Sequence, residues 1–166
     1  LLSAGLERAL VFQTLSKRSA MTGYRSGFVA GDPELIATFR ALRPSLGVAT
    51  PEFVQHAAEE AWNDEVHVEA LRQGFARKRE EALAFFEGPG RAAGFEVVPN
   101  DATFYLWLKA PGGDDVAFVE KLLRLGIVCV PGSYLGRGGE GFVRFALVPT
   151  LAQCGEAIER MMDLDG

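Results

Sequence analysis

The sequence changes period at Gly88-Pro89-Gly90. Before it, Val68, Leu71, Phe75, Ala82 and Phe86 fall on one stripe of a helix expected over about 64–87. After Gly94 the apolar residues alternate instead, in FEVVP (95–99) and TFYLWLKA (103–110), joined by the turn sequence Pro99-Asn100-Asp101. Proline has no N–H for a helix interior, and glycine favours a helix end. The long helix is therefore expected to end or be interrupted there, with a sheet to follow.

The other elements follow from the same signals. Leu10, Val11, Phe12 and Leu15 read as a buried strand at about 10–15, and GFVAG (27–31) as a short second one. Asp32-Pro33 starts a helix with Leu35, Ile36, Phe39 and Leu42 on its buried face; Thr50-Pro51-Glu52 starts another, to about Trp62. Asn63-Asp64 breaks and recaps. In the long helix, the run from Arg77 to Glu81 is expected to face water. Asp114 or Asp115 caps a helix carrying Val116, Val119, Leu122 and Leu123, closed by Gly126. IVCV (127–130) and FVRFALV (142–148) read as strands, and Thr150 with Gln153 as the capping box of a last helix bearing Leu151, Cys154, Ile158 and Met161. Helices packed on a small sheet make this an α+β layer.

The chain has 166 residues, enough for one domain with a sizeable core. A net charge of −5 argues against nucleic-acid or anionic-membrane binding, and no apolar run approaches a membrane span or forms a visible signal peptide. Cys129 and Cys154 lie in apolar surroundings without metal-like spacing and read as reduced thiols of a cytoplasmic protein. LLSAGLERAL lacks an initiating methionine and reads as a helix end leading into a strand, so a piece of a longer protein is expected.

Chemistry concentrates in TLSKRSAMTGYRSGF (14–28). Lys17 ends the first apolar run among the hydroxyls Thr14, Ser16 and Ser19, and Arg25 follows between Gly23 and Gly27. Flanking glycines let the backbone approach whatever the guanidinium binds. An arginine with hydroxyl donors suits a phosphate. A lysine beside it, desolvated and near a cation, is a candidate amine nucleophile. The plain alternative is a solvated charge at a strand end.

Arg144 sits in an apolar strand, sharing a face with Phe142 and Ala146, and its charge cannot be shed. A structural ion pair with Glu96 or Glu140 would satisfy it, and so would a bound anion. GRGGEG (136–141) precedes a strand rather than a helix, so it reads as a flexible connection, with Arg137 exposed. His56 and His67 have no metal spacing. Tyr134, Phe104 and Tyr105 read as core or pocket wall, Trp62 and Trp107 as packing.

The lysine segment resembles that of the class I/II, fold-type I, pyridoxal-phosphate-dependent aminotransferases. Thr14, Lys17, Gly23, Arg25 and Gly27 fall in register, with Thr14 for the commoner serine and Ser26 for a small aliphatic. The resemblance covers nearly the whole chain. It implies that Lys17 carries pyridoxal 5′-phosphate and moves the substrate's proton, that Arg25, Thr14 and Ser16 fix the phosphate, and that Arg144 binds the substrate carboxylate. It implies the C-terminal part of a PLP-dependent transferase fold, α/β with an α+β small domain. Residues 1–49 would be the end of the large cofactor domain, 50–94 connecting helices and 95–166 a small domain with a mainly antiparallel sheet.

SKRSAMTGYRSGFVAGDPELI, WNDEVHVEALR and VRFALVPTLAQCGEAIERM look most like succinyldiaminopimelate aminotransferases of bacterial lysine synthesis. That implies glutamate as donor, a long doubly acidic keto acid as acceptor, and a cytoplasmic homodimer. The acidic partner of the pyridine nitrogen and the stacking aromatic have no counterpart here, so these residues alone are expected to bind cofactor weakly or not at all and not to transaminate. A lyase or decarboxylase on the same scaffold, or the ligand-binding domain of a transcription regulator, stays open at this point.

Overall fold

Residues 5–164 are described by the computed structural model, so the first four residues of the expected helix end, and the last two of the chain, lie outside the described residues. Residues 5–9 are turn and irregular structure. The chain divides between Leu71 and Arg72 into two compact units.

In the first unit, β1 (Leu10–Thr14) pairs antiparallel with β2 (Gly27–Gly31), Leu10 opposite Gly31 and Thr14 opposite Gly27. α1 (Leu15–Arg18) follows β1 directly, then α2 (Pro33–Leu46), α3 (Glu52–Asn63) and the first turns of α4 (Val66–Glu87). Asp32 caps α2, accepting from the backbone N–H groups of Arg8 (2.7 Å), Glu34 (2.9 Å) and Leu35 (3.3 Å). Asp64 recaps as expected, accepting from Val66 N at 2.8 Å. The core here is Leu15, Ala58 and Ala61, with Met21 and Trp62 packed against them.

Within the described residues two expected buried faces are left uncovered: Phe12 of β1 is 65% exposed, and α2 buries no residue, leaving Leu35 and Leu42 exposed. A two-stranded sheet has too little surface to cover a strand face and a helix face together.

The second unit holds the rest of α4, then α5 (Pro89–Ala92), β3 (Glu96–Val97), β4 (Tyr105–Lys109), α6 (Asp115–Arg124), β5 (Val130–Pro131), β6 (Phe142–Ala146) and α7 (Leu151–Met161). The sheet runs β3-β4-β6-β5, every pair antiparallel. Leu106 and Leu108 share one face of β4, and Leu108 stands opposite Val143; all three are fully buried, in one cluster with Phe86, Phe118, Leu122, Cys154 and Met161. The capping box of Thr150 and Gln153 forms. No helix among the described residues is long and apolar enough to cross a membrane.

The differences in this unit have local causes. Of IVCV only Val130 pairs, because Ile127 turns into the core while Val128 is exposed. α6 buries Phe118 and Leu122, an i, i+4 pair, and exposes Val116 and Leu123. The charged run of α4 does not all face water. Arg77 pairs with Glu81 at 3.1 Å, but Lys78 Nζ donates to the carbonyls of Leu147 (3.2 Å), Val148 (3.4 Å) and Pro149 (2.5 Å), and Arg79 to that of Thr103 (3.1 Å). GRGGEG is no loose connection, because a Cβ on Gly139 would stand 2.1 Å from the Gly132 carbonyl oxygen.

Asp115 lies buried at the start of α6 and accepts from Ser133 N at 2.8 Å, which holds the turn after β5. Chiefly that bond keeps its carboxyl below the ordinary carboxylate range. A depressed carboxyl contributes stability above its unfolded pKa, about 4, and loses it as pH falls through the folded value. Asp115→Asn should lower the urea midpoint at pH 7, and its gap to the wild type should narrow as pH falls below about 4; a gap of constant size through that fall contradicts this account.

Candidate functional site

Thr14 and Gly27 are paired, so the chain leaves and re-enters the first sheet at one end, and everything between them is displayed from one connection. Lys17 stands on that connection in α1, not on the strand, and it is exposed rather than desolvated. Thr14 is the N-cap of α1; its hydroxyl accepts from Ser16 N at 3.2 Å and lies 3.1 Å from Ser16 Oγ and 3.2 Å from the Ser26 carbonyl. A four-residue helix cannot support itself. Leu15, fully buried, anchors its start, and the Leu15 carbonyl accepts from both Ser19 N (3.0 Å) and Met21 N (3.2 Å).

Arg25 ends the next turn in the left-handed region, φ 49° and ψ 38°, with Nη1 donating to the Thr22 carbonyl at 3.1 Å. That conformation costs a residue with a Cβ about 1–2 kcal/mol. The flanking glycines differ in what surrounds them. A Cβ on Gly27 would come within 2.3 Å of the Gln13 carbonyl oxygen, so it is glycine because β1 lies against it, while Gly23 faces open space.

The donor chemistry of this connection fits a phosphorylated aldehyde. It offers an amine at Lys17, an exposed guanidinium at Arg25, and hydroxyls at Ser16 and Thr22. Arg18, which the sequence did not single out, donates through Nη1 to the Ala61 carbonyl at 2.7 Å and through Nη2 to Glu65. Its partners lie far along the chain, so no local signal marks it.

In the second unit Arg144 projects from β6, half-buried, opposite Trp107 and Val130. Its guanidinium lies 4.5 Å from the centre of the Tyr105 ring, and Nε is buried without a partner. The ion pairs open to it in sequence do not form. Glu96 pairs with Lys109 at 3.1 Å, and among the described residues no carboxylate meets Arg144. A cation on an aromatic face with no internal carboxylate beside it can receive one.

Other groups are accounted for by packing or solvent, except that His67 Nε2 is buried without a partner. His67 Nδ1 lies 2.9 Å from Asp64 Oδ2, and that bond foremost holds the Asp64 carboxyl below its ordinary value. His56 and Arg137 are exposed, and Tyr134, expected as core or pocket wall, is 73% exposed. Burial pushes the Cys129 thiol up to about 11 and raises that of Cys154, so neither is a ready thiolate.

Residues 1–161 match the model of the family described as aminotransferase class I and II. The chain is 37% identical over 153 residues to the 4-dedimethylamino-4-oxo-anhydrotetracycline transaminase OxyQ of Streptomyces rimosus, covering 92% of this chain and 41% of that protein. Among solved structures, an aminotransferase from Neisseria meningitidis superposes with a TM-score of 0.82 at 42% identity, over 93% of this chain and 40% of its own. A probable N-succinyldiaminopimelate aminotransferase from Thermus thermophilus does so with 0.82 at 32% identity, over 96% and 43%. The chain thus spans about two fifths of the length of these proteins.

The close approach at Gly27 has a direct consequence. Gly27→Ala should force β2 away from Gln13 and loosen the closure that displays Lys17 and Arg25, so amide exchange at Leu15, whose N–H donates to the Ser26 carbonyl at 3.2 Å, should quicken by at least about tenfold, the equivalent of 1.4 kcal/mol. Unchanged exchange would show that the strands accommodate the methyl group.

Proposed function

This chain belongs to the class I and II aminotransferase family, and we propose that the whole protein transfers an amino group between an amino acid and a keto acid using pyridoxal 5′-phosphate. The observation that carries the reading is the shared connection between Thr14 and Gly27, which presents an exposed lysine and an exposed arginine together. Residues 1–49 are read as the end of the large cofactor domain, 50–94 as connecting helices and 95–166 as the small domain. On this reading the present residues supply part of a site and do not turn over alone.

Lys17 would hold the cofactor through Nζ. Arg25, with Thr14 and Ser16, grips the phosphate, where a planar fork engages two oxygens at once. When bound, the cofactor supplies the electron sink that makes the substrate Cα–H acidic. Lys17 Nζ, free once the substrate's amino group takes over its bond to the cofactor, would move the proton off Cα, a positioned transfer that contributes about 10²–10⁴-fold. Arg144 would bind the substrate carboxylate, its guanidinium held against the Tyr105 ring. Orienting the substrate in this way removes much of the entropic barrier.

For the substrates, we propose glutamate as donor and a succinylated, doubly acidic keto acid as acceptor, in lysine biosynthesis. The likeness to the Thermus protein supports this. The same reading carries a cytoplasmic homodimer with its sites at the subunit boundary.

The test uses the full-length protein loaded with cofactor. Borohydride reduction followed by peptide mapping should place the tag on Lys17. Lys17→Ala should lower glutamate-dependent keto-acid transamination by at least about 10²-fold. A tag on another lysine, or elimination products in place of the new amino acid, would refute the assignment.

A further inference from the structure

We propose that Arg18 is a positioning residue that aims Lys17, by fastening α1 to the carbonyl end of α3. The proposal rests on the reading of Lys17 as the cofactor-bearing amine. α1 has four residues and needs anchors outside itself. Leu15 supplies one at its start, buried against Ala58 and Ala61. Arg18 supplies the other at its end, and Lys17 lies between the two.

The Arg18 anchor is specific in direction. Nη1 donates to the Ala61 carbonyl at 2.7 Å and to Ser19 Oγ at 3.3 Å; Nη2 donates to the Trp62 carbonyl at 3.4 Å and to the Glu65 carboxylate. The guanidinium also lies 4.8 Å from the centre of the Trp62 ring. Ala61 and Trp62 are in the last turn of α3, where carbonyls have no partner inside the helix and the dipole is negative. The Glu60 carbonyl is taken by Asp64 N at 3.1 Å, which leaves the next two for a cation. Arg18 keeps its side chain only 15% exposed, whereas Glu65 is 71% exposed, so the carbonyls and the Trp62 ring carry the anchor. A planar fork fixes orientation as well as distance, which an ammonium cannot do. With both ends of α1 held, Lys17 leaves the turn in one direction. Misplacing a reacting group by about 1 Å can cost about 10²-fold.

The experiment compares Arg18→Lys and Arg18→Met with the wild type, each as full-length protein loaded with pyridoxal 5′-phosphate. Borohydride mapping of the wild type comes first: a tag away from Lys17 sinks the cofactor reading itself. With the tag on Lys17, the pH midpoint of the bound cofactor's absorbance should move in both variants. At the same time kcat should fall about 10²-fold for methionine and about 10-fold for lysine, which restores charge but not the fork. A merely structural tie would lower the unfolding temperature and leave the pH midpoint in place. An unmoved midpoint with kcat within about twofold of wild type overturns the proposal, whatever happens to stability. Should the methionine variant not fold, the lysine variant decides by the same two readouts.

Discussion

The backbone pairing of Thr14 with Gly27 is the constraint on which the candidate site depends. Two strands that meet there bring the start and end of the intervening connection together, so residues distributed from Leu15 to Ser26 share one edge of the first unit. The pairing needs glycine at position 27, because the Gln13 carbonyl fills the space of a side chain. It also needs Thr14 to end a strand and cap a helix at once, which its extended backbone and hydroxyl permit. Lys17 and Arg25 are thereby gathered without any contact between their side chains being required.

In the second unit the equivalent constraint is electrostatic. Arg144 cannot discharge, and β6 offers it apolar neighbours. The ring of Tyr105 holds the guanidinium from one side, while the nearest acidic residue in the sheet, Glu96, is committed to Lys109. A half-buried cation kept from internal carboxylates retains its affinity for one brought by a ligand. The sheet that carries it is stabilised by ordinary means: one apolar face, helices packed on it, and Lys78 closing the carbonyls that follow β6.

Much of this was legible. The helix starts at Asp32-Pro33 and Asp114, the recapping at Asp64, the stop at Gly88 and the box at Thr150 all rest on contacts between near neighbours in sequence, and all form. The alternation in TFYLWLKA and FVRFALV identified the two central strands and put Val143 inside and Arg144 opposite it. The readings that failed concern cover rather than type. Leu35, Leu42 and Phe12 carry an apolar pattern, yet the two-stranded sheet of their unit cannot bury them. Lys78 and Arg79 look like solvated charges by composition, and only the position of β6 and of Thr103 shows that they bind carbonyls.

By itself the sequence determined the elements, their order and the lysine–arginine spacing, since periodicity, caps and turn residues act over a few positions. The tertiary structure decided which residues hold those elements in place: Arg18 on the end of α3, Gly27 against Gln13, Tyr105 under Arg144. Each is a contact between segments distant in the chain, set by the closing of strands and the docking of helices, and neighbouring residues carry no record of it.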